Sequence, residues 1–124
     1  MSWSLEELER IDAHDELRIS SVRADGTMSP KVIIWFVRVE DDLYVRSVNG
    51  AGAGWYRATR ARHSGQIIVG GQTYEVDYVD FPAEGPMRKA IDAAYRRKYA
   101  RYPTIVPSIL KPDVLATTIC LVSR

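Results

Sequence analysis

The length and charge of the chain limit what it can be. Its 124 residues suffice for about one domain with one hydrophobic core, and 46% hydrophobic with 27% charged residues is typical of a folded globular chain. Because 17 Lys and Arg face 16 Asp and Glu, a net charge of +1, the composition gives no support for a nucleic-acid-binding protein.

Secretion and membrane insertion are not predicted either. Cys120 is the only cysteine, which excludes an internal disulfide and favours a reducing compartment. The longest apolar run, Val32 to Val37, is too short to cross a bilayer. The N-terminus has Trp3, Leu5 and Leu8 among acidic residues instead of a basic and then apolar signal segment. We therefore expect a cytoplasmic protein without a membrane partner.

The chain begins with a predicted helix and continues mainly as strands. Ser4-Leu-Glu-Glu7 matches a capping box, and Leu5, Leu8 and Ile11 recur at helical spacing, which predicts a helix at about 4–14. Segments rich in β-branched and aromatic residues predict six strands, at 17–23, 31–39, 43–48, 66–69, 72–81 and 117–122.

Turns and periodicity define the predicted architecture. Gly70-Gly71 suits the positive φ angles of a two-residue hairpin turn, and the apolar run in 31–39 predicts a strand buried on both faces. Further helices are predicted at 55–62 and at 87–101. These elements predict a mainly β (α+β) fold in one domain, 1–124: a six-stranded antiparallel barrel with flanking helices.

The stretch from Leu43 to Tyr74 has the features of an anion site. It contains no Asp or Glu but includes Arg46, Arg57, Arg60 and Arg62. A predicted strand runs here into a glycine-rich loop and then a helix, so backbone N–H groups and the positive end of the helix dipole can approach a ligand. The pattern predicts that a phosphate group binds at this point.

Other readings of the same residues stay open. Strand alternation places Arg46 on one face with Tyr44 and Val48, where it could bind a phosphate if that face lines a groove. Alternatively, Arg46 is a surface arginine paired with Glu40 or Asp42. Arg57 and Arg60 could simply be solvated, and the indoles at positions 35 and 55 could belong to the core rather than stack on a ligand.

No motif for metal or nucleophilic chemistry is present. His14 and His63 stand apart from other ligand residues, so no metal site is predicted. Cys120 lies in an apolar strand and is expected to be a buried, inert thiol. The basic and aromatic run from Tyr95 to Tyr102 is expected to end a helix with a solvated face, which makes nucleic acid an unlikely partner. No catalytic residue is assigned.

Three motifs resemble a known group of proteins: Asp41 to Gly50, Trp55-Tyr56-Arg57, and the run from Ala94 to Pro103. With them the chain resembles a small uncharacterised bacterial family related to the pyridoxamine-phosphate-oxidase-like and deazaflavin-dependent nitroreductase-like split barrels. The resemblance implies a six-stranded antiparallel split β-barrel that forms a homodimer. It also implies FMN or a deazaflavin in a groove at the subunit interface.

The resemblance implies a set of cofactor-binding residues as well. They are Arg46, Ser47, Asn49, Gly50, Trp55, Tyr56 and Arg57. Many flavin-binding members have a Ser-Arg-Lys-like signature after the middle strand, where this chain has Asn49-Gly-Ala-Gly-Ala-Gly54. A bulkier phosphorylated cofactor than FMN, or no cofactor, therefore stays open.

Three functions are compatible with these observations. The first is hydride transfer to a small acceptor by the bound cofactor, with Tyr44, Tyr56 or water as the proton donor. The second is non-catalytic binding or sequestration of a small anionic ligand at the same site. The third is a cofactor-free interaction protein.

Overall fold

The structure, a computed structural model, describes residues 3–81 and 84–124. The elements are α1 (Leu5–Asp12), β1 (Glu16–Ser21), β2 (Val32–Val39), β3 (Asp42–Val45), a 3₁₀ turn (Gly50–Gly52), α2 (Gly54–Arg62), β4 (Ser64–Val69), β5 (Gln72–Asp80), α3 (Gly85–Lys98), a 3₁₀ segment (Val106–Leu110), α4 (Pro112–Leu115) and β6 (Ile119–Ser123). None of the helices in this described part of the chain is long and apolar enough to span a membrane.

The six strands close into an antiparallel barrel in the order β1-β2-β3-β6-β5-β4. The last strand in this order pairs again with the first, with Arg18 opposite Ile68. Gly70 and Gly71, with φ of 57° and 81°, form the turn between β4 and β5. The mainly β barrel with flanking helices is therefore confirmed, and so is the predicted hairpin turn.

The sequence signal at the start of α1 is also confirmed. The Ser4 hydroxyl accepts the Glu7 N–H, and the Glu7 carboxylate accepts the Ser4 N–H, so the capping box starts α1. At the C-terminal end of α2, His63 adopts a left-handed conformation with φ of 56° and terminates the helix.

The barrel interior holds the first of two hydrophobic cores. Alternate residues of the strands point inward, among them Phe36 of β2 and Leu43 and Val45 of β3. Helix α1 adds Leu8 and Ile11 to this core. Because hydrophobic burial is the main driving force of folding, this interior fixes the barrel to which the outer elements attach.

A second core lies outside the barrel, where α3 packs on β2, β3 and β6. Val37, Tyr44 and Cys120 contribute the outward-facing side chains of these strands, and α3 contributes Ile91 and Tyr95. Tyr44 therefore lies on the opposite face from Leu43 and Val45, as the alternation predicts. The free thiol of Cys120 is buried in this layer.

One prediction about β2 is wrong. Its apolar run predicts burial on both faces, but Ile33 is 56% exposed. The outer core includes Val37 and the flanking Trp35 and Val39, but it does not include Ile33. The reason is that α3 covers only the C-terminal half of the strand, so the outer face of the N-terminal half has no helix above it.

Lys98, at the end of α3, joins three elements. Its Nζ donates to the Phe36 carbonyl of β2 at 3.1 Å and lies 3.5 Å from the Asp12 carboxylate of α1. The ammonium also lies 3.4 Å from the centroid of the Phe36 ring. Burial lowers the pKa of Lys98 to about 8, although the charge of Asp12 opposes this shift.

The lowered pKa of Lys98 predicts a pH-dependent stability. Between about 8 and the ordinary value of 10.5 the unfolded chain binds more protons at this lysine than the folded chain does. The free energy of unfolding contributed by Lys98 therefore rises with pH across this window. We measure the free energy of unfolding of the native protein and of Lys98→Met by urea denaturation. We expect the value for the native protein minus the value for the variant to increase from pH 7 to pH 10.

Subtracting the variant from the native protein removes the contributions of other titrating groups. Burial raises the pKa of Cys120 to about 11, which makes the free energy of unfolding fall as pH rises, but this contribution is the same in both proteins. A difference that stays constant with pH would contradict the assignment.

Candidate functional site

A groove of about 360 Å³ lies beside the uncovered half of β2. Its apolar wall includes Ile33 and Trp35 from β2, Val48 and Trp55 from the region around the glycine-rich loop, and Ile105. Its polar lining residues are Glu16, Arg46, Asn49 and Ser108. An apolar cleft with few polar groups is the usual form of a small-molecule site.

The groove coincides with an exposed apolar surface. Of the six large hydrophobic residues exposed in the described chain, three line it: Ile33, Val48 at 47% and Ile105 at 48% exposure. Trp35 and Trp55 are partly buried at its wall. Contiguous exposed apolar surface of this kind marks ligand or protein interaction sites.

Arg46 lies inside the protein, just past the end of β3. Its side chain is 0% exposed, and its Nη1 donates to the Asp92 carboxylate of α3 at 2.7 Å. Its Nε donates to the Thr118 hydroxyl at 3.0 Å, and the guanidinium lies 5.3 Å from the centroid of the Tyr95 ring. Two of its nitrogens are therefore held by the protein's own groups.

This placement corrects the alternative reading of Arg46. It is not a surface arginine, and its carboxylate partner is Asp92 rather than Glu40 or Asp42. Its Nη2 is buried and has no hydrogen-bond partner among the described residues, although Arg46 lines the groove. A buried guanidinium N–H without an acceptor is costly, which makes this nitrogen a candidate for ligand binding.

Ser47 and Gly50 bind each other instead of facing the groove. The Ser47 hydroxyl donates to the Gly50 carbonyl at 2.7 Å, and the Gly50 N–H donates to the Ser47 carbonyl at 2.9 Å. The Ser47 N–H donates to the Thr117 hydroxyl at 2.8 Å. A Cβ placed on Gly50 would lie 3.5 Å from Oδ2 of Asp113. This carboxylate disfavours a phosphate against Gly50.

The remaining predicted site residues separate into two groups. Asn49 and Trp55 line the groove with Arg46, so three of the seven predicted residues come together. Tyr56 is buried in the barrel core, and its hydroxyl accepts a hydrogen bond from Arg60 at 2.8 Å. Arg57 is exposed on α2 and does not line the groove.

Sequence reasoning missed two contributors to this region. Ile105, Ser108 and Ile109 belong to a short 3₁₀ segment and the residue before it, too short for a periodic pattern to indicate which side chains face the groove. Asp92 carried no signal of its burial, because Arg88, Asp92 and Arg96 recur at four-residue spacing, which predicts a solvated stripe along α3.

Comparison with known proteins places the chain in a family. The model of DUF2255, described as "Uncharacterized protein conserved in bacteria", matches residues 7–121. The chain belongs to the DUF2255 family. This confirms the predicted membership in a small uncharacterised bacterial family. No curated protein matches the sequence.

Solved structures share the fold of this DUF2255 chain at low identity. An FAD-binding protein from Mesorhizobium loti aligns with a TM-score of 0.69 and 16% identity, over 100% of this chain and 90% of its own. A reductase dependent on F420-H2 aligns with a TM-score of 0.62 and 12% identity, over 87% of this chain and 94% of its own. HutZ, the heme storage protein of Vibrio cholerae, aligns with a TM-score of 0.68 and 14% identity, over 100% of this chain and 92% of its own. The predicted relation to split barrels is therefore confirmed at the level of the fold.

The Arg46–Asp92 pair predicts a large effect of truncation in this DUF2255 member. Asp92→Ala leaves a buried guanidinium without its carboxylate, so we expect a loss of about 3–5 kcal/mol in unfolding free energy. Arg88 also approaches Asp92, at 3.6 Å, but its side chain is 51% exposed. Arg88→Ala, the matched control, should change stability by less than about 0.5 kcal/mol. Similar losses for both variants, measured by urea denaturation, would contradict this ranking.

Proposed function

We propose that the groove beside β2 binds the ring of a phosphorylated flavin or deazaflavin, for hydride transfer to a small acceptor. The observation that carries this proposal is that Trp35, Trp55 and Arg46 line one apolar groove and that the Nη2 of Arg46 has no partner among the described residues. Aromatic faces pair well with flat heterocycles, and a guanidinium favours an anionic or carbonyl acceptor. The cofactor would supply the hydride chemistry.

Different residues of the groove would contact different parts of such a ring. Aliphatic side chains, Ile33 and Ile105 among them, would exclude water from one part of it. Asn49 and Ser108 offer hydrogen-bonding groups that could fix its orientation. Because the Arg46 side chain is fully covered, a neighbouring side chain must move before a ligand atom reaches its Nη2.

The two predicted tyrosine proton donors do not line the groove. Tyr44 is buried under α3, and burial raises its pKa, which makes proton release harder. Tyr56 is buried in the barrel core. Water is the remaining predicted donor, and it is the one we propose for the hydride-transfer reaction.

Heme is a less favoured ligand for this groove than a flavin. HutZ, which shares the fold, is a heme storage protein, whereas other structural neighbours are an FAD-binding protein and a reductase dependent on F420-H2. Heme iron requires a His, Cys, Met or Tyr ligand. None of the residues that line the groove in the described chain is of these types. A flavin needs no such ligand.

The exposed apolar wall favours a homodimer. Ile33, Val48 and Ile105 would remain in water in a single chain, and a second copy placed against them would bury this surface and enclose the groove. The resemblance to dimeric split barrels supports the same arrangement. We propose that the cofactor groove is completed at this interface.

The three candidate functions predict different results when a flavin or deazaflavin is added to the protein. A sequestering protein would bind an anionic ligand without turnover, and a cofactor-free interaction protein would bind no flavin. Only the redox proposal requires that the bound cofactor be reduced or oxidised by a second substrate. Spectra of the bound cofactor after addition of NADPH or dithionite and an acceptor separate these cases.

Trp55→Ala tests the ring site. We expect the native protein to quench flavin or deazaflavin fluorescence at micromolar concentration, and the variant to lose about 1–2 kcal/mol of binding, roughly 5- to 30-fold in Kd. Leu5→Ala is the control, because Leu5 is also apolar and exposed but does not line the groove. Equal affinities of Trp55→Ala and native protein would remove Trp55 from the site.

Ile33→Glu tests the interface. A charged residue in an apolar interface costs binding energy, so we expect the variant to be monomeric at concentrations where the native protein is dimeric. Light scattering after size-exclusion chromatography gives the mass directly. Leu5→Glu, at a site that is 61% exposed, should leave the mass unchanged. A native monomer would refute the dimer.

A further inference from the structure

A second cavity, of about 500 Å³, lies between α2 and the chain that joins β1 to β2. Val22 and Pro30, from the chain between β1 and β2, form part of its wall. Helix α2 contributes Gly54, Ala58 and Ala61, whose spacing places them on one helix face. Their small side chains leave the space open, so the cavity is a feature of how α2 packs over this loop.

This cavity adjoins the groove beside β2. Trp55 and Val32 line both of them. A ligand whose ring lies in the groove and whose chain passes Trp55 would therefore enter the second cavity. The two spaces together accommodate a longer molecule than either of them alone.

Three arginines without a carboxylate partner in the described residues lie at or near the second cavity. Arg23 lines it, and Arg62 donates to the carbonyl of Ala24, another lining residue, at 3.4 Å. Arg57 is exposed within one helical turn of Gly54. The described ion pairs include none of these three arginines.

The nearest acid in sequence cancels only part of this charge. Asp25 is in the same loop as Arg23 and attracts it electrostatically. Its carboxylate also accepts hydrogen bonds from the hydroxyl and the N–H of Thr27, at 2.6 and 3.0 Å. One carboxylate against three guanidinium groups leaves a net positive field. Arg60 of the same helix differs, since it pairs with Asp80 at 3.4 Å.

The position of the charge decides which ligand fits. In the groove, Arg46 is already paired with Asp92, and the Gly50 loop has the carboxylate of Asp113 beside it. Arg23, Arg57 and Arg62, which have no carboxylate partner among the described residues, lie at or near the second cavity. The negative charge of the ligand should therefore lie past Trp55, and the combined room of the two spaces favours a molecule longer than FMN.

We infer that the second cavity holds the anionic tail of a cofactor longer than FMN. This inference rests on the proposed function, and it narrows the cofactor to a flavin or deazaflavin whose phosphate carries a further group. The adenosine phosphate of FAD and the acidic tail of a deazaflavin such as F420 share this chemistry. Apolar walls favour the adenine of FAD, and the arginines favour the carboxylates of a deazaflavin.

The test compares cofactors with and without a long tail. Riboflavin, FMN and FAD share one ring and differ only beyond it, whereas F420 has a deazaflavin ring. Dissociation constants for these four are measured by fluorescence with four proteins: native, Ala58→Leu, Arg23→Ala and Arg60→Ala. We expect FAD or F420 to bind the native protein about tenfold more tightly than FMN. The tail is that of whichever long cofactor loses affinity in Ala58→Leu and Arg23→Ala.

The variants locate the effect. Ala58→Leu fills the second cavity and Arg23→Ala removes a cation at an exposed position, so each should remove most of the advantage of the longer cofactor. Each should change FMN affinity less than about twofold, because FMN lies in the groove alone. Arg60→Ala, with its arginine already paired to Asp80, should leave every affinity unchanged.

The outcomes separate this inference from the proposal on which it rests. If FMN binds but FAD and F420 bind no better, or if Ala58→Leu weakens FMN and FAD equally, the tail assignment is wrong and the ring site stands. If none of the four cofactors binds, both the ring site and the tail assignment are wrong.

Discussion

The position of α3 on the barrel depends on one buried ion pair. Arg46 follows β3, Asp92 belongs to α3, and Thr118 precedes β6, so the guanidinium joins the helix to two neighbouring strand ends. Removing two charges from water is expensive, and the short Arg46–Asp92 contact offsets that cost only in this one arrangement. Together with the packing of Ile91 and Tyr95 in the outer core, the pair holds α3 over one half of β2 and leaves the other half available to the groove.

The same ion pair reduces the positive charge that is available to a ligand around the glycine-rich loop. Arg46 supplies much of the positive charge that the sequence suggests for a ligand, but Asp92 comes from a distant helix and neutralises it. Arg60 is likewise paired with Asp80. The cations that are left, Arg57 and Arg62, lie on α2. The charge available to an anion is thus displaced from the end of β3 to the outer face of this helix.

Much of the fold was predictable because its signals are local. The capping box at Ser4 and the glycine pair at the β4–β5 turn each specify a conformation within a few residues. The site was predicted less well. The partner of Arg46 lies 46 residues away, and the cover over β2 depends on where α3 ends. Neither fact has a local signal, so the seven predicted cofactor-binding residues include only three that line the groove, Arg46, Asn49 and Trp55, besides Trp35, which was considered as a stacking residue.

The uncovered half of β2 would also link the proposed ligand binding to the proposed dimer. The apolar groove and the exposed side chains of Ile33 and Ile105 form one continuous surface. A molecule bound on one part of this surface therefore reduces the solvent exposure of the other part. A ring bound in the groove would add apolar area for a second copy to cover, and a second copy would desolvate the ring. By mass action, each event then stabilises the other. A single chain would leave both the ring and this surface in water, so in the proposed dimer the groove would be half of a site.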